Sequence, residues 1–237
     1  MDERVLFYGL LWFVAFLFST TVHEAMHALV AYRGGDPTAY RGGQVSLSPL
    51  PHIRREPIGM LVVPLLTAFT SGWALGWAST PYDPAWAARH PRRAASMAAA
   101  GPAGNLVIAA VAFGVLRLGI VTGVFVSPER VNAHHLVEPA HSNAWLAAAG
   151  ELLSVLLVLN VLLFVFNMLP VPPLDGGSAI TGVLPERLAH AVRAVVGNPA
   201  FSMLGLFVTW QAFPTLARPI INMLIRVVHP SEQYDLG

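Results

Sequence analysis

From Val5 to Val22 the chain runs without a charged side chain, and the residues that follow are His23-Glu24-Ala25-Met26-His27. An apolar stretch of this length reads as a membrane-spanning helix, which needs about 20 residues. Ionisable side chains carried into such a helix are costly and mark function by default. On a helix His23 and His27 stand one turn apart and face the same way. Two imidazoles can then hold one zinc, with Glu24 beside the metal as general base for its water. The first thirty residues therefore predict both a membrane fold and a hydrolytic chemistry inside or at the edge of a bilayer.

Composition agrees with the membrane placement. Apolar residues make up 55% of the chain and charged residues 11%, against roughly a quarter charged in soluble domains. The formal net charge is +1, and no basic stretch carries interleaved aromatics, so no nucleic-acid partner is expected. There is no cysteine, which excludes disulfides and thiolate ligation and leaves a metal to His and carboxylate ligands. Every basic residue is Arg and none is Lys. With the many alanines, this suggests a bacterial, GC-rich coding source.

The first apolar run is longer than the roughly 7–15 residues of a signal-peptide core and is read as a span, Val5–Tyr32, closed by Gly34 and Gly35. Further apolar stretches lie at Ile58–Ala78, Ala94–Leu116, Ala144–Leu169 and Phe201–Val228. Arg33, Arg41, Arg54 and Arg55 precede the second stretch, and Arg89, Arg92 and Arg93 follow it. Positive charge marks the cytoplasmic side, so both flanks belong on one side and Ile58–Ala78 is expected to be re-entrant. A simple fifth span is the other reading. Gln44-Val45-Ser46-Leu47-Ser48 alternates polar and apolar residues as a short strand does; an edge strand and a loop with accidental alternation both fit it. The expected fold is an all-α polytopic membrane protein. It has four transmembrane helices, a re-entrant or fifth apolar segment, and a short β-hairpin or strand element after the first helix. It fills the chain as a single domain, 1–237, with a core over 5–182 and a last membrane segment over 199–228.

A histidine pair needs a third ligand. Asn167-Met168-Leu169-Pro170-Val171-Pro172-Pro173-Leu174-Asp175-Gly176-Gly177 ends an apolar helix with prolines and then presents a carboxylate before two permissive glycines. Unwound backbone at membrane depth is tolerated only where protein or a polar cavity surrounds it. Asp175 alone reads as a turn residue; coupled to the histidine pair it becomes the candidate ligand. Asn160 and Asn167 lie two helical turns apart on one face, where they can serve as substrate contacts or as interhelical hydrogen-bonding groups. His134, His135 and His141, and likewise His52 and His90, are read as surface-loop histidines.

Three ordered motifs, His23-Glu24-x-x-His27, Ala100-Gly101-Pro102-Ala103-Gly104-Asn105 and Asn167-x-x-Pro170-x-Pro172-x-Leu174-Asp175-Gly176, resemble those of the site-2 proteases, a family of intramembrane zinc metalloproteases. Ser48-Pro49-Leu50-Pro51-His52-Ile53, Pro57-Ile58-Gly59 and Gly76-Trp77-Ala78 are similar to its compact branch, and the likeness runs from about residue 5 to 182. The resemblance implies one Zn2+ per chain held by His23, His27 and Asp175, with Glu24 catalytic. It matches Asn105 and Asn167 to the family's asparagines. It also implies cleavage of transmembrane protein substrates, clamped as an extended strand, in regulated intramembrane proteolysis at the cell membrane. The clamp is expected at Gln44, Val45 and Ser46, with Asn105, Asn160 and Asn167 as further substrate contacts. The connection over 120–143 falls short of the roughly 50 residues a domain needs, so no PDZ domain is expected there. Substrate choice then rests on the membrane core or on a regulatory membrane partner. Two other classes fit parts of the pattern: a membrane metal transporter, which would show paired or repeated sites, and a non-catalytic scaffold that binds membrane helices, which would have lost Glu24 or a ligand.

Overall fold

The computed structural model describes residues 3–232 and Tyr234. In chain order the elements are α1 (Glu3–Arg33), α2 (Thr38–Arg41), α3 (Leu50–Arg55), a wide helical turn (Ile58–Val62) leading into α4 (Val63–Ser71), α5 (Pro84–Arg89) and α6 (Pro91–Val121). Then follow β1 (Phe125–Val126), β2 (Glu138–Pro139), α7 (Ala144–Asn167), α8 (Asp175–Ala179), α9 (Glu186–Val196) and α10 (Pro199–Val228). Among the described residues four helices, α1, α6, α7 and α10, are long and apolar enough to cross a membrane. On α1 the stripe Leu10, Val14 and Phe18 is 56%, 48% and 49% exposed, while Trp12, Ala15, Phe16, Ser19 and Thr20 are buried. Apolar side chains point outward and polar ones inward, the arrangement a helix needs when lipid is its solvent. The protein is a polytopic all-α membrane protein.

Residues up to Asn105 together with Leu163–Gln211 form one compact unit, and Leu106–Leu162 with the residues from Ala212 onward form a second. In the first unit, the helical stretch Ile58–Ser71 is too short to cross. At 1.5 Å per residue it covers about 21 Å, against about 30 Å of hydrocarbon. Gly72 ends it with φ +74°, the left-handed conformation that glycine adopts without strain. The chain then turns back. Leu75 N–H donates to Thr67 Oγ1 at 2.9 Å and Trp77 N–H to Gly59 O at 3.2 Å, returning the backbone to the level where the stretch began.

The returning limb runs parallel to α1 and beside it. Trp73 packs on Trp12 with ring centroids 4.6 Å apart, Gly76 lies against Phe16, and Thr80 reaches Glu24. Asp83 N–H then donates to Asp36 Oδ2 at 2.7 Å, and Trp86 Nε1–H to Gly34 O at 3.0 Å. From Trp12 to Glu24 a helix rises about 18 Å. The limb from Trp73 to Thr80 has fewer residues for that distance and must therefore be extended, at about 3.3 Å per residue. Asp36 anchors its far end: burial pushes this carboxyl up, but Thr38 and the Asp83 N–H outweigh that and hold it below the usual carboxylate range. The folded-back path makes a prediction. Cysteines at Leu47, 70% exposed, and at Ala88, also exposed, should react with an impermeant maleimide from the same side of the membrane. Labelling from opposite sides would contradict the re-entrant path.

No strand forms at 44–48, where alternation predicted one after the first helix. Ser46 Oγ accepts the Ser48 N–H at 3.0 Å and Ser48 Oγ the Leu50 N–H at 3.4 Å. These hydroxyls give the backbone local partners in place of a ladder. The hairpin of the fold is the β1–β2 pair in the second unit, antiparallel, with Phe125 opposite Pro139. His52 is likewise not a surface residue. It is buried, and its Nε2–H donates to Ser46 O at 3.1 Å, bracing this loop.

In the second unit the end of α10 is tied to the hairpin. The carbonyl of Leu136 accepts the buried His229 Nε2–H at 2.6 Å, and Ser127 Oγ lies 2.9 Å from His229 Nδ1. The acceptor carbonyl places the ring proton on Nε2, so Nδ1 receives the Ser127 hydroxyl. Arg117 donates to Val228 O at 2.7 Å, and Leu136 N–H to Ser154 Oγ at 3.1 Å. Helix α10 is continuous despite Pro214 and Pro219.

Candidate metal centre

Helix α1 carries His23, Glu24 and His27, all buried, with ligand atoms within 4.8 Å of one another. Each histidine has one ring nitrogen committed. His27 Nδ1 lies 2.7 Å from Met97 O, an acceptor only, so Nδ1 carries the proton. His23 Nδ1 lies 2.6 Å from Asn105 Oδ1. The amide nitrogen of Asn105 donates to Ser19 O at 3.4 Å, which turns its oxygen to the imidazole and again places the proton on Nδ1. In the neutral rings, the form that binds a metal, both Nε2 atoms then present bare lone pairs. They face each other at 3.0 Å.

Asp175 supplies the third group. Prolines 170, 172 and 173 end the helical run after α7, and α8 restarts at Asp175. Gly176 allows this tight turn, because a Cβ there would strike the carbonyls of Met168 and Leu169. Asp175 Oδ2 sits 3.1 Å from His23 Nε2 and 3.3 Å from His27 Nε2. With both rings neutral and the carboxylate ionised, three acceptor atoms converge on one point, an arrangement that a cation at their centre stabilises. A tetrahedral zinc with arms of about 2.0–2.1 Å would space its ligands about 3.3–3.4 Å apart. The donor set fits zinc in type and in spacing. Gly101 completes the cradle: a Cβ at this position would land on His27 Nε2 and crowd His23 Nε2. Gly104 similarly lets α6 approach Met26.

Of the residues singled out by sequence, His23, Glu24, His27, Asp175 and Asn105 come together here. Asn167 Nδ2 donates to Leu163 O at 2.9 Å and Asn160 Nδ2 to Leu156 O at 2.8 Å, each one turn back on α7. Gln44 is buried and its Nε2–H donates to Ser79 O at 3.4 Å, so it grips the returning limb, while Val45 and Ser46 are half-buried. Two participants were missed. Met97 acts through its carbonyl, which no side-chain motif can reveal. Thr80 donates its hydroxyl to Glu24 Oε2 at 2.7 Å, with Glu24 O at 3.0 Å, a pairing created only when the limb folds back.

Comparison with known proteins gives a consistent answer. Residues 11–210 match the profile of peptidase family M50. YwhC of Bacillus subtilis (strain 168), named as a candidate zinc metalloprotease, is 31% identical over 83% of this chain and 79% of its own length. Rip2 of Mycolicibacterium smegmatis (strain ATCC 700084 / mc(2)155), named in the same way, is 30% identical over 69% of this chain. Rip2 of Mycobacterium tuberculosis (strain ATCC 25618 / H37Rv) is 29% identical over 84% of it. The matches span 53% and 66% of the two Rip2 chains. No solved structure matches the chain. With three zinc-type donors converging on α1 and a profile match over most of its length, the chain belongs to peptidase family M50, the site-2 proteases, and is a zinc-dependent protease.

Proposed function

We infer that the protein is a multi-pass cell-membrane enzyme that hydrolyses peptide bonds within or near transmembrane segments of membrane proteins, in regulated intramembrane proteolysis. In this reading residues 1–237 act as one domain with a core over 5–182. His23, His27 and Asp175 are the zinc ligands and Glu24 is the catalytic base. The observation that carries it is the convergence of His23 Nε2, His27 Nε2 and Asp175 Oδ2 within 3.0–3.3 Å, beside the buried Glu24 on a helix whose outer stripe is apolar.

When bound, zinc supplies a Lewis acid that polarises the scissile carbonyl and makes water easier to deprotonate. The chain's own groups do the rest. Asn105 and Met97 hold the two imidazoles in the tautomer that leaves Nε2 free. Glu24 takes a proton from the attacking water onto its carboxylate and delivers it to the leaving amine nitrogen, so the peptide bond breaks with no net change at Glu24.

A helical substrate hides its peptide bonds in its own hydrogen bonds and must be unwound before attack. The limb Gly76–Thr80 supports an extended substrate better than 44–46 does. It is extended, it ends at Glu24, and within the described residues only Trp77 N–H and Ser79 O of its backbone groups are bonded. Free backbone groups of this kind accept an added strand. Gln44 then contributes by bracing the limb.

The test is a tagged single-span substrate in bilayers with the purified protein, the cleaved bond located by mass spectrometry. The expected cut lies inside the apolar segment. Cuts confined to the soluble tails would overturn the intramembrane reading.

A further inference from the structure

We propose that Thr80 is a positioning residue that keeps Glu24 a base and prevents it from becoming a fourth metal ligand. The proposal rests on the reading of Glu24 given above and adds to it a residue and a role.

Glu24 follows His23 directly, and its carboxylate lies within 4.8 Å of the ring nitrogens of both His23 and His27. A carboxylate this close to the ligand atoms is within reach of ligating a metal held by them. With His23, His27 and Asp175 filling three positions, ligation by Glu24 would close the fourth, which a catalytic zinc keeps open for water or substrate. Thr80 Oγ1 lies 2.7 Å from Glu24 Oε2 and 3.0 Å from Glu24 O. A hydroxyl has one hydrogen, and the ionised carboxylate, both nearer and more basic, takes it. One carboxylate oxygen is thereby occupied and the other stays free to receive a proton.

The hydroxyl can act as a clamp because the backbone that carries it is itself fixed. Trp77 N–H is bonded to Gly59 O, Ser79 O to Gln44 Nε2–H, and Asp83 N–H to Asp36 Oδ2. Pro81 follows directly and restricts the backbone at Thr80 to extended conformations. The re-entrant limb and the buried Gln44 thus converge on the orientation of one carboxylate.

The test compares Thr80→Val, equal in shape and lacking the hydroxyl, with Thr80→Ser, which keeps it. One readout needs no substrate: the visible absorption of the cobalt-substituted protein, which reports the ligand set. Thr80→Val should change this spectrum as a further carboxylate joins, at full metal content, whereas Thr80→Ser should match wild type. The second readout is cleavage of the single-span substrate. Thr80→Val should lower kcat about 10–100-fold with KM within about twofold, the scale of a misplaced catalytic group. Thr80→Ser should restore most of it. A wild-type spectrum and kcat in Thr80→Val would overturn the proposal, as would a Thr80→Ser variant impaired as fully as Thr80→Val. If wild type itself shows no zinc-dependent cleavage, the proteolytic reading fails separately, and an unchanged cobalt spectrum in Thr80→Val still overturns the clamp.

Discussion

Glu24→Gln should fold, keep its zinc and bind a single-span substrate, yet cleave it about 10²–10⁴ times more slowly than wild type, the usual worth of positioned acid–base help. The substitution preserves shape and the Thr80 contact at the side-chain oxygen while removing the group that takes the proton. The outcome also separates the three functional classes raised by the sequence. A metal transporter would retain most of its flux in this variant. A scaffold would show no cleavage even as wild type. Comparable cleavage by Glu24→Gln and wild type would remove Glu24 from the chemistry. The assay is a gel time course with both proteins at matched zinc content.

The second large effect is on the metal. Asp175→Ala removes one of three converging donors and leaves the two Nε2 atoms 3.0 Å apart, with Glu24, held by Thr80, the one carboxylate near them among the described residues. Loss of an outer partner of a zinc ligand typically costs about 10–100-fold in affinity. Loss of the ligand itself should cost at least that, and zinc per chain after dialysis should fall well below one. Full retention in Asp175→Ala would move the third ligand elsewhere, and Glu24, already within reach, would be the next to test.

The parts of this site that could be read from sequence are those whose chemistry is carried by side chains at helical spacing. His23, Glu24 and His27 sit on one continuous helix, so their relative placement follows from the period of the helix alone. Asp175 by itself reads as a turn residue and stands out as a candidate ligand only beside the histidine pair, next to which the fold places it. The spans at α1, α6, α7 and α10 were legible because hydrocarbon demands long apolar runs. The misses have equally physical causes. The strand expected at 44–48 failed because Ser46 and Ser48 satisfy nearby backbone N–H groups locally. His52 looked like a loop residue, but its carbonyl partner at Ser46 lets it be buried. Thr80 meets Glu24 across 56 positions, and Met97 serves His27 through a main-chain oxygen. The first contact depends on how the limb after Gly72 doubles back along α1 and the second on how α6 packs against α1, and no local pattern encodes either.

The most direct measurement is a zinc titration of metal-stripped protein in bilayers, with cleavage of the tagged substrate and bound zinc followed together for wild type and Glu24→Gln. Cleavage should be absent without metal and should rise to saturation at one zinc per chain in wild type, while Glu24→Gln should bind zinc equally and cleave hardly at all. Cleavage by the stripped protein, or equal chelator-insensitive cleavage by both proteins, would contradict the zinc-dependent mechanism.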